Sequence, residues 1–227
     1  TLVDVAFISQ LSSFTGLYSM VPYTHYLSSP TVLQSATVET KIRNLGVDPV
    51  NLAGINYKIS DSEGNFISQF NGGINPQLNP LSVTNVVFAQ PTTQIFPDVS
   101  KVTETFNIRT TFAITGFNDR FVNDTIDSKQ VFGSYYAYDD GTAEKAYGLT
   151  GAGIELAHEY NAVMGDSLRA ILINFPRTLD GDAEELEIEI RVWEDMSSAP
   201  IYVSSFIENP RYTYVNEFAR YELEEAV

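Results

Sequence analysis

The chain has 227 residues, enough to bury one large core or two small ones, and its 44 % hydrophobic content excludes a disordered polymer. A formal net charge of −16 repels phosphate backbones and anionic lipid, so nucleic acid is excluded as a partner; no apolar run reaches spanning length, which excludes direct membrane insertion. The absence of cysteine excludes disulfides, thiolate metal sites and cysteine nucleophiles together, and leaves the compartment open.

From the first residues the rhythm is that of strands. Thr1-Leu2-Val3-Asp4 is already strand-like, with no basic or apolar leader pattern, and the segment reads as excised from something longer. In Ala36–Arg43, the residues Ala36, Val38 and Ile42 share one face, and Thr37, Glu39, Lys41 and Arg43 the other, the pattern of a strand with one wet side. Asn44-Leu45-Gly46 supplies a turn. Ile55–Ile59 alternates again, Asp61-Ser62-Glu63-Gly64-Asn65 reads as a hairpin loop, and Phe66–Phe70 returns. Val83–Ala89 follows, then the longest expected strand, Val102–Thr115. About seven short strands punctuated by Gly, Pro and Asn predict an immunoglobulin-like sandwich over residues 1–130.

A boundary is expected between residues 127 and 134. Up to Phe132 there are 10 acidic and 7 basic residues, a net of 7 − 10 = −3; from Gly133 onward there are 19 and 6, a net of 6 − 19 = −13. The second segment, 131–227, is also β in pattern, with strands expected at Leu168–Phe175, Leu186–Trp193, Ile201–Ile207 and Phe218–Leu223, and a strand rather than a helix at 153–164. The expected class is all-β: two β-sandwich domains, an Ig-like one followed by a jelly-roll-like one.

Tyr136-Ala137-Tyr138-Asp139-Asp140-Gly141-Thr142-Ala143-Glu144-Lys145-Ala146-Tyr147-Gly148-Leu149 resembles a motif of large secreted Bacteroidetes proteins that use the type IX secretion system. Val192-Trp193-Glu194-Asp195 and Phe218-Ala219-Arg220-Tyr221-Glu222-Leu223 fit the same pattern. Thr37–Gly46 resembles the strand and Asn-x-Gly turn of a CARDB-like adhesion module. The resemblance implies export to the medium or the outer cell surface, with other surface proteins or glycans as partners. It also implies a further closing strand, so a second sandwich ending at Val227 is expected to be incomplete. It implies no reaction.

Asp139, Asp140 and Glu144 around Gly141 offer the hard oxygen ligands that Ca²⁺ prefers, and equally the side chains of an Asx-type turn. Ca²⁺ is therefore the one cofactor considered. Asp180–Glu185 reads as a solvated hairpin tip. Glu187 and Glu189, beside Arg191, read as edge protection rather than as an acid–base pair. His158 alternates with Leu156 and Tyr160, which predicts a half-buried strand residue, and His25 falls near an expected loop; no HExxH pattern joins them. Trp193 is a candidate for sugar stacking, with Tyr135, Tyr136, Tyr138, Tyr212 and Tyr214 as further aromatic candidates. Thr125 and Ser167, in Asp-Ser/Thr-apolar tripeptides, resemble the O-glycosylation acceptors of exported Bacteroidetes proteins. The function expected is a non-catalytic structural or adhesion module, with any catalytic domain elsewhere in the parent chain; the alternative is a carbohydrate-binding accessory module of a secreted hydrolase.

Overall fold

The computed structural model describes residues 4–72, 76–116, 123–139, 148, 153–175, 187–208, 211, 214 and 216–227. Two compact units emerge, Thr1–Asp140 and Gly141–Val227. Both are built of sheet, as the alternation predicts.

In the first unit, β1 (Val5–Phe7), β3 (Thr37–Asn44) and β7 (Val83–Ala89) form an antiparallel sheet in the order β1-β3-β7. The larger sheet runs β2-β9-β8-β4-β5, from β2 (Met20–Pro22), β9 (Thr125–Gly133), β8 (Glu104–Ile114), β4 (Val50–Ser60) and β5 (Phe66–Gly72); β6 (Gln77–Leu78) pairs with the start of β4. Every pairing among the described residues of this unit is antiparallel except β2 with β9. Val38, Ile42, Val86 and Phe88 of the small sheet turn inward, as do Leu52, Tyr57, Ile59, Phe106 and Ile108 of the large one. Ring contacts join the two layers: Tyr57 to Phe88 at 5.9 Å, and Phe7 to Phe112 at 5.0 Å. The unit is a β-sandwich, its faces closed by the alternation read in the sequence.

Two features depart from the expectation. The strand expected at Ile55–Ile59 runs from Val50 to Ser60, because a register shift between Leu52 and Gly54 puts Leu52 and Ile55 on the same face at a spacing of three. Such a bulge hides the strand from a period-two reading. Second, the stretch around His25, placed near an expected loop, forms two short helices, α1 (Tyr23–Ser28) and α2 (Pro30–Leu33). Pro30 cannot continue α1 but suits the first position of α2. Tyr23, His25 and Tyr26 are buried by α1, so His25 sits in packing and not in a loop.

The first unit ends after Asp140, later than the expected boundary at 130. Val131–Gly133 complete β9 and pair with Met20–Pro22, and Ala137 bridges to Met20.

In the second unit, β11 (Glu187–Ile188) pairs with β14 (Ile207–Glu208), and β12 (Arg191–Val192) with β13 (Tyr202–Val203). The two ladders are one hairpin offset by one residue. Between them Ser204 N donates to Ile190 O at 2.8 Å, while Ile190 N donates to Ser204 Oγ at 2.9 Å. A second antiparallel pair joins β10 (Ala170–Ile173) to β15 (Ala219–Glu222). Ile190, Ala219 and Tyr221 are buried together, with Ile171, Ile173, Phe175, Tyr202 and Ile207 packed around them. The expected buried strand at Leu168–Phe175 is shorter and half-buried. The expected strand at 153–164 does not form: residues 154–162 carry no regular secondary structure, and His158 is exposed rather than half-buried. Alternation alone offers a strand face, and here no core receives it.

Candidate functional site

Where the chain leaves β9, it turns back onto the first sandwich. Ser19 N and Met20 N donate to Ala137 O at 2.8 and 3.2 Å, and Ala137 N donates to Met20 O at 2.9 Å. Ser19 Oγ donates to Tyr138 O at 2.9 Å. The extended backbone puts Tyr136 and Tyr138 on one side, and both grip the buried Tyr18 ring, at centroid distances of 4.9 and 5.0 Å. Behind them the Tyr136 hydroxyl lies 2.8 Å from His25 Nδ1 of α1. Aromatic pairs of this kind contribute about 0.5–1.5 kcal/mol each beyond their area. The result is an aromatic clasp that fastens residues 136–138 to the segment before β2. Sequence reasoning singled out Tyr136 and Tyr138 but missed Tyr18, and it separated His25 from them; nothing local in Leu17-Tyr18-Ser19 announces a partner more than a hundred residues away.

Below the clasp lies an aromatic core. Phe132 packs against Tyr23 at 4.9 Å, Tyr26 at 4.7 Å and Phe96 at 5.3 Å. Tyr26 Oη donates to Gln34 Oε1 and accepts from Phe96 N, and Tyr23 Oη donates to Pro97 O. Burial pushes the Tyr23 and Tyr26 hydroxyls up to about 12, so both remain protonated donors at neutral pH.

Of the expected metal residues, only Asp139 lies among the described residues. Asp139 is exposed beside Tyr138, while Asp140 and Glu144 lie outside the described residues. No group of metal-ligating side chains occurs among the described residues. Trp193 follows β12 and is half-buried. Thr125 is exposed at the first position of β9, and Ser167 is exposed with its N–H on Asp166 Oδ1 at 2.7 Å.

Several described carboxylates serve structure. Asp61 Oδ1 accepts from Glu63 N at 2.9 Å and from Asn65 N at 2.8 Å, building the β4–β5 turn. The Asn65 side-chain hydrogen bond leads in holding the Asp61 carboxyl below its ordinary value. Glu189 and Glu155 both bond Arg191, the latter at 2.8 Å, so Glu189 and a carboxylate from the 154–162 segment together neutralise one cation. Asp195 caps a turn by accepting from Ser197 N at 2.8 Å, which lowers its pKa.

No family model matches the chain, and no curated protein matches it. Among solved structures, it is similar over 43 % of its length to 11 % of a Bacteroides uniformis β-glucuronidase 2 covalently bound to cyclophellitol-6-carboxylate aziridine, at 13 % identity and a TM-score of 0.28. A β-glucuronidase from glycoside hydrolase family 2 aligns over 41 % of this chain and 9 % of its own, at 18 % identity and a TM-score of 0.26. The structural genomics target SoR45 aligns over 70 % of this chain and 92 % of its own, at 12 % identity and a TM-score of 0.21. The chain thus spans about a tenth of either glucuronidase. Likenesses this distant leave the functional reading to the chain's own residues. No described helix is long and apolar enough to cross a membrane.

Proposed function

We propose that this chain is a non-catalytic structural and adhesion module of a secreted or cell-surface bacterial protein, holding another part of its parent chain at a distance and contacting surface proteins or glycans. The observation that carries this reading is the aromatic clasp. A free polar linker behaves as a random coil and transmits no orientation. Residues 136–138 are instead bonded by backbone on one edge and by two tyrosine rings on one face. Such fastening keeps the first unit ordered up to Tyr138, as a rigid structural module requires. Backbone ¹⁵N relaxation tests it: Tyr136–Tyr138 are expected near the rigid order parameter of about 0.85, dropping toward about 0.6 in Tyr18→Ala. Values near 0.6 at Tyr136–Tyr138 in the unmutated chain end the stalk reading.

A second reading is favoured by a separate observation. Tyr135 and Tyr138 keep 42 % and 38 % of their surface exposed beside Asp139, the pairing of aromatic face and carboxylate acceptor that a sugar ring can use. Glycan-array binding that disappears in Tyr138→Ala supports carbohydrate attachment at the clasp; loss in Trp193→Ala instead moves it to the second unit. A blank array removes it.

A further inference from the structure

We infer that Met20 is an oxidative-modification site at the joint of the clasp: an oxidant of the peroxide class converts its thioether to the sulfoxide and so releases residues 136–138 from β2. The chain has three methionines. Met164 and Met196 lie in the second unit, 44 % and 66 % exposed, outside its strands. Met20 sits in β2 and supplies the backbone edge of the clasp, its N–H donating to Ala137 O at 3.2 Å and its carbonyl accepting from Ala137 N at 2.9 Å. Its side chain has a place of its own. Val21 and Phe132, partners in the parallel ladder, point into the core with no exposure, so their neighbours Met20 and Gly133 face outward. A β-carbon built on Gly133 would lie 2.9 Å from Met20 Sδ, 3.7 Å from Met20 Cγ and 3.6 Å from Tyr135 Cε1. The thioether therefore fills the space that a side chain at 133 would take. Met20 is half-buried, which leaves the sulfur packed yet within reach of a small neutral oxidant.

The step balances with hydrogen peroxide as oxidant. A sulfur lone pair attacks one peroxide oxygen, the S–O bond forms as the O–O bond breaks, and the second oxygen leaves as water. The sulfur loses two electrons and the peroxide gains them. The product side chain is polar and carries a strong acceptor. The atoms nearest the notch over Gly133 are carbon and sulfur, and none of them donates a hydrogen bond. The sulfoxide oxygen is satisfied by water instead, which draws the side chain off Gly133. Because β2 has three residues, displacing Met20 disturbs its ladder with β9 and the Ala137 bridge together. The inference rests on the stalk reading, since it names a condition under which the rigid joint lets go.

Amide hydrogen exchange before and after hydrogen peroxide, with peptide mapping by mass, reads the prediction. The full chain carrying Met164→Leu and Met196→Leu keeps Met20 as its remaining methionine. It should gain one oxygen, at Met20, and Ala137 should then exchange faster by about ten-fold or more while the β8–β9 ladder is unchanged. Methionine sulfoxide reductase should restore the slow rate. Met20→Leu fills the same notch without a sulfide, so in that chain Ala137 should keep its protection through the same treatment. Fast exchange at Ala137 before any oxidant contradicts the stalk reading and this inference with it. A protected Ala137 that is indifferent to the Met20 sulfoxide overturns the inference alone. So does a Met20 that peroxide leaves unmodified, or a Met20→Leu chain that peroxide loosens to the same extent.

Discussion

Asn44, Glu104 and Thr110 occupy inward-facing strand positions where the alternation expects apolar side chains, and each resolves the conflict differently. Asn44, fully buried, donates through Nδ2 to Asp48 O at 2.8 Å and Leu78 O at 3.1 Å, while its Oδ1 accepts from Gly46 N at 2.8 Å. It ties the loop after β3 to β6, so Asn44→Ala should lower unfolding free energy by about 1–3 kcal/mol in urea titrations. Glu104 stands against its burial, which works to raise its pKa, by accepting from Lys101 Nζ at 2.6 Å, from Ser62 and from Thr105 N; these win and its carboxyl titrates below the ordinary value. A depressed folded value contributes stability above the unfolded value and loses it as pH falls through the folded one. The first unit should therefore weaken progressively as pH drops below about 4.5, and Glu104→Gln should flatten that acid limb while costing stability at neutral pH. A Glu104→Gln variant with an unchanged acid limb would contradict the assignment. Thr110 Oγ1 and its cross-strand neighbour Tyr57 Oη are buried without a described hydrogen-bond partner. Thr110→Val keeps the shape and removes the orphan hydroxyl, so stability should rise by up to about 1 kcal/mol, as read by thermal or urea unfolding.

At the scale of elements, legibility followed how far a strand's information is local. Val83–Ala89 is found at its full length because β-branched and aromatic residues fill it without a break, with Val86 and Phe88 buried. The turn at Asp61–Asn65 is equally readable, since its aspartate and glycine act on neighbours, with Gly64 at a φ of 87°. The start of β4 was illegible because a bulge breaks the period, and α1 because six residues are too few to show one. Residues 154–162 mislead in the opposite sense: Ile154, Leu156 and Tyr160 alternate but remain exposed at 46, 59 and 51 %. The clasp was half legible. Its tyrosines are visible in Tyr136-Ala137-Tyr138, but their grip depends on Tyr18 and His25, brought near only by the parallel β2–β9 pairing. Phe132 links that pairing to the helices, and Phe132→Ala should cost about 3–5 kcal/mol of first-unit stability, measured by urea unfolding.

At the scale of the whole molecule, the described residues of the two units differ in how much they bury. The first closes a two-layer core with many side chains wholly inaccessible, including Tyr57, Phe96, Phe106 and Phe132. The described part of the second buries Ile190, Ala219 and Tyr221 and leaves Phe206 and Tyr214 68 % and 82 % exposed. Area removed from water is the main favourable term in folding, so the units should unfold separately, the second at the lower temperature. Calorimetry should resolve two transitions. The stalk reading then depends on the first unit holding its clasp closed by itself. Amide hydrogen exchange at Ala137, whose N–H is bonded to Met20 O at 2.9 Å, tests that most directly. Protection matching the β8–β9 ladder, lost when Tyr18 is replaced by alanine, is the predicted result. Exchange at the pace of an exposed loop would contradict the account.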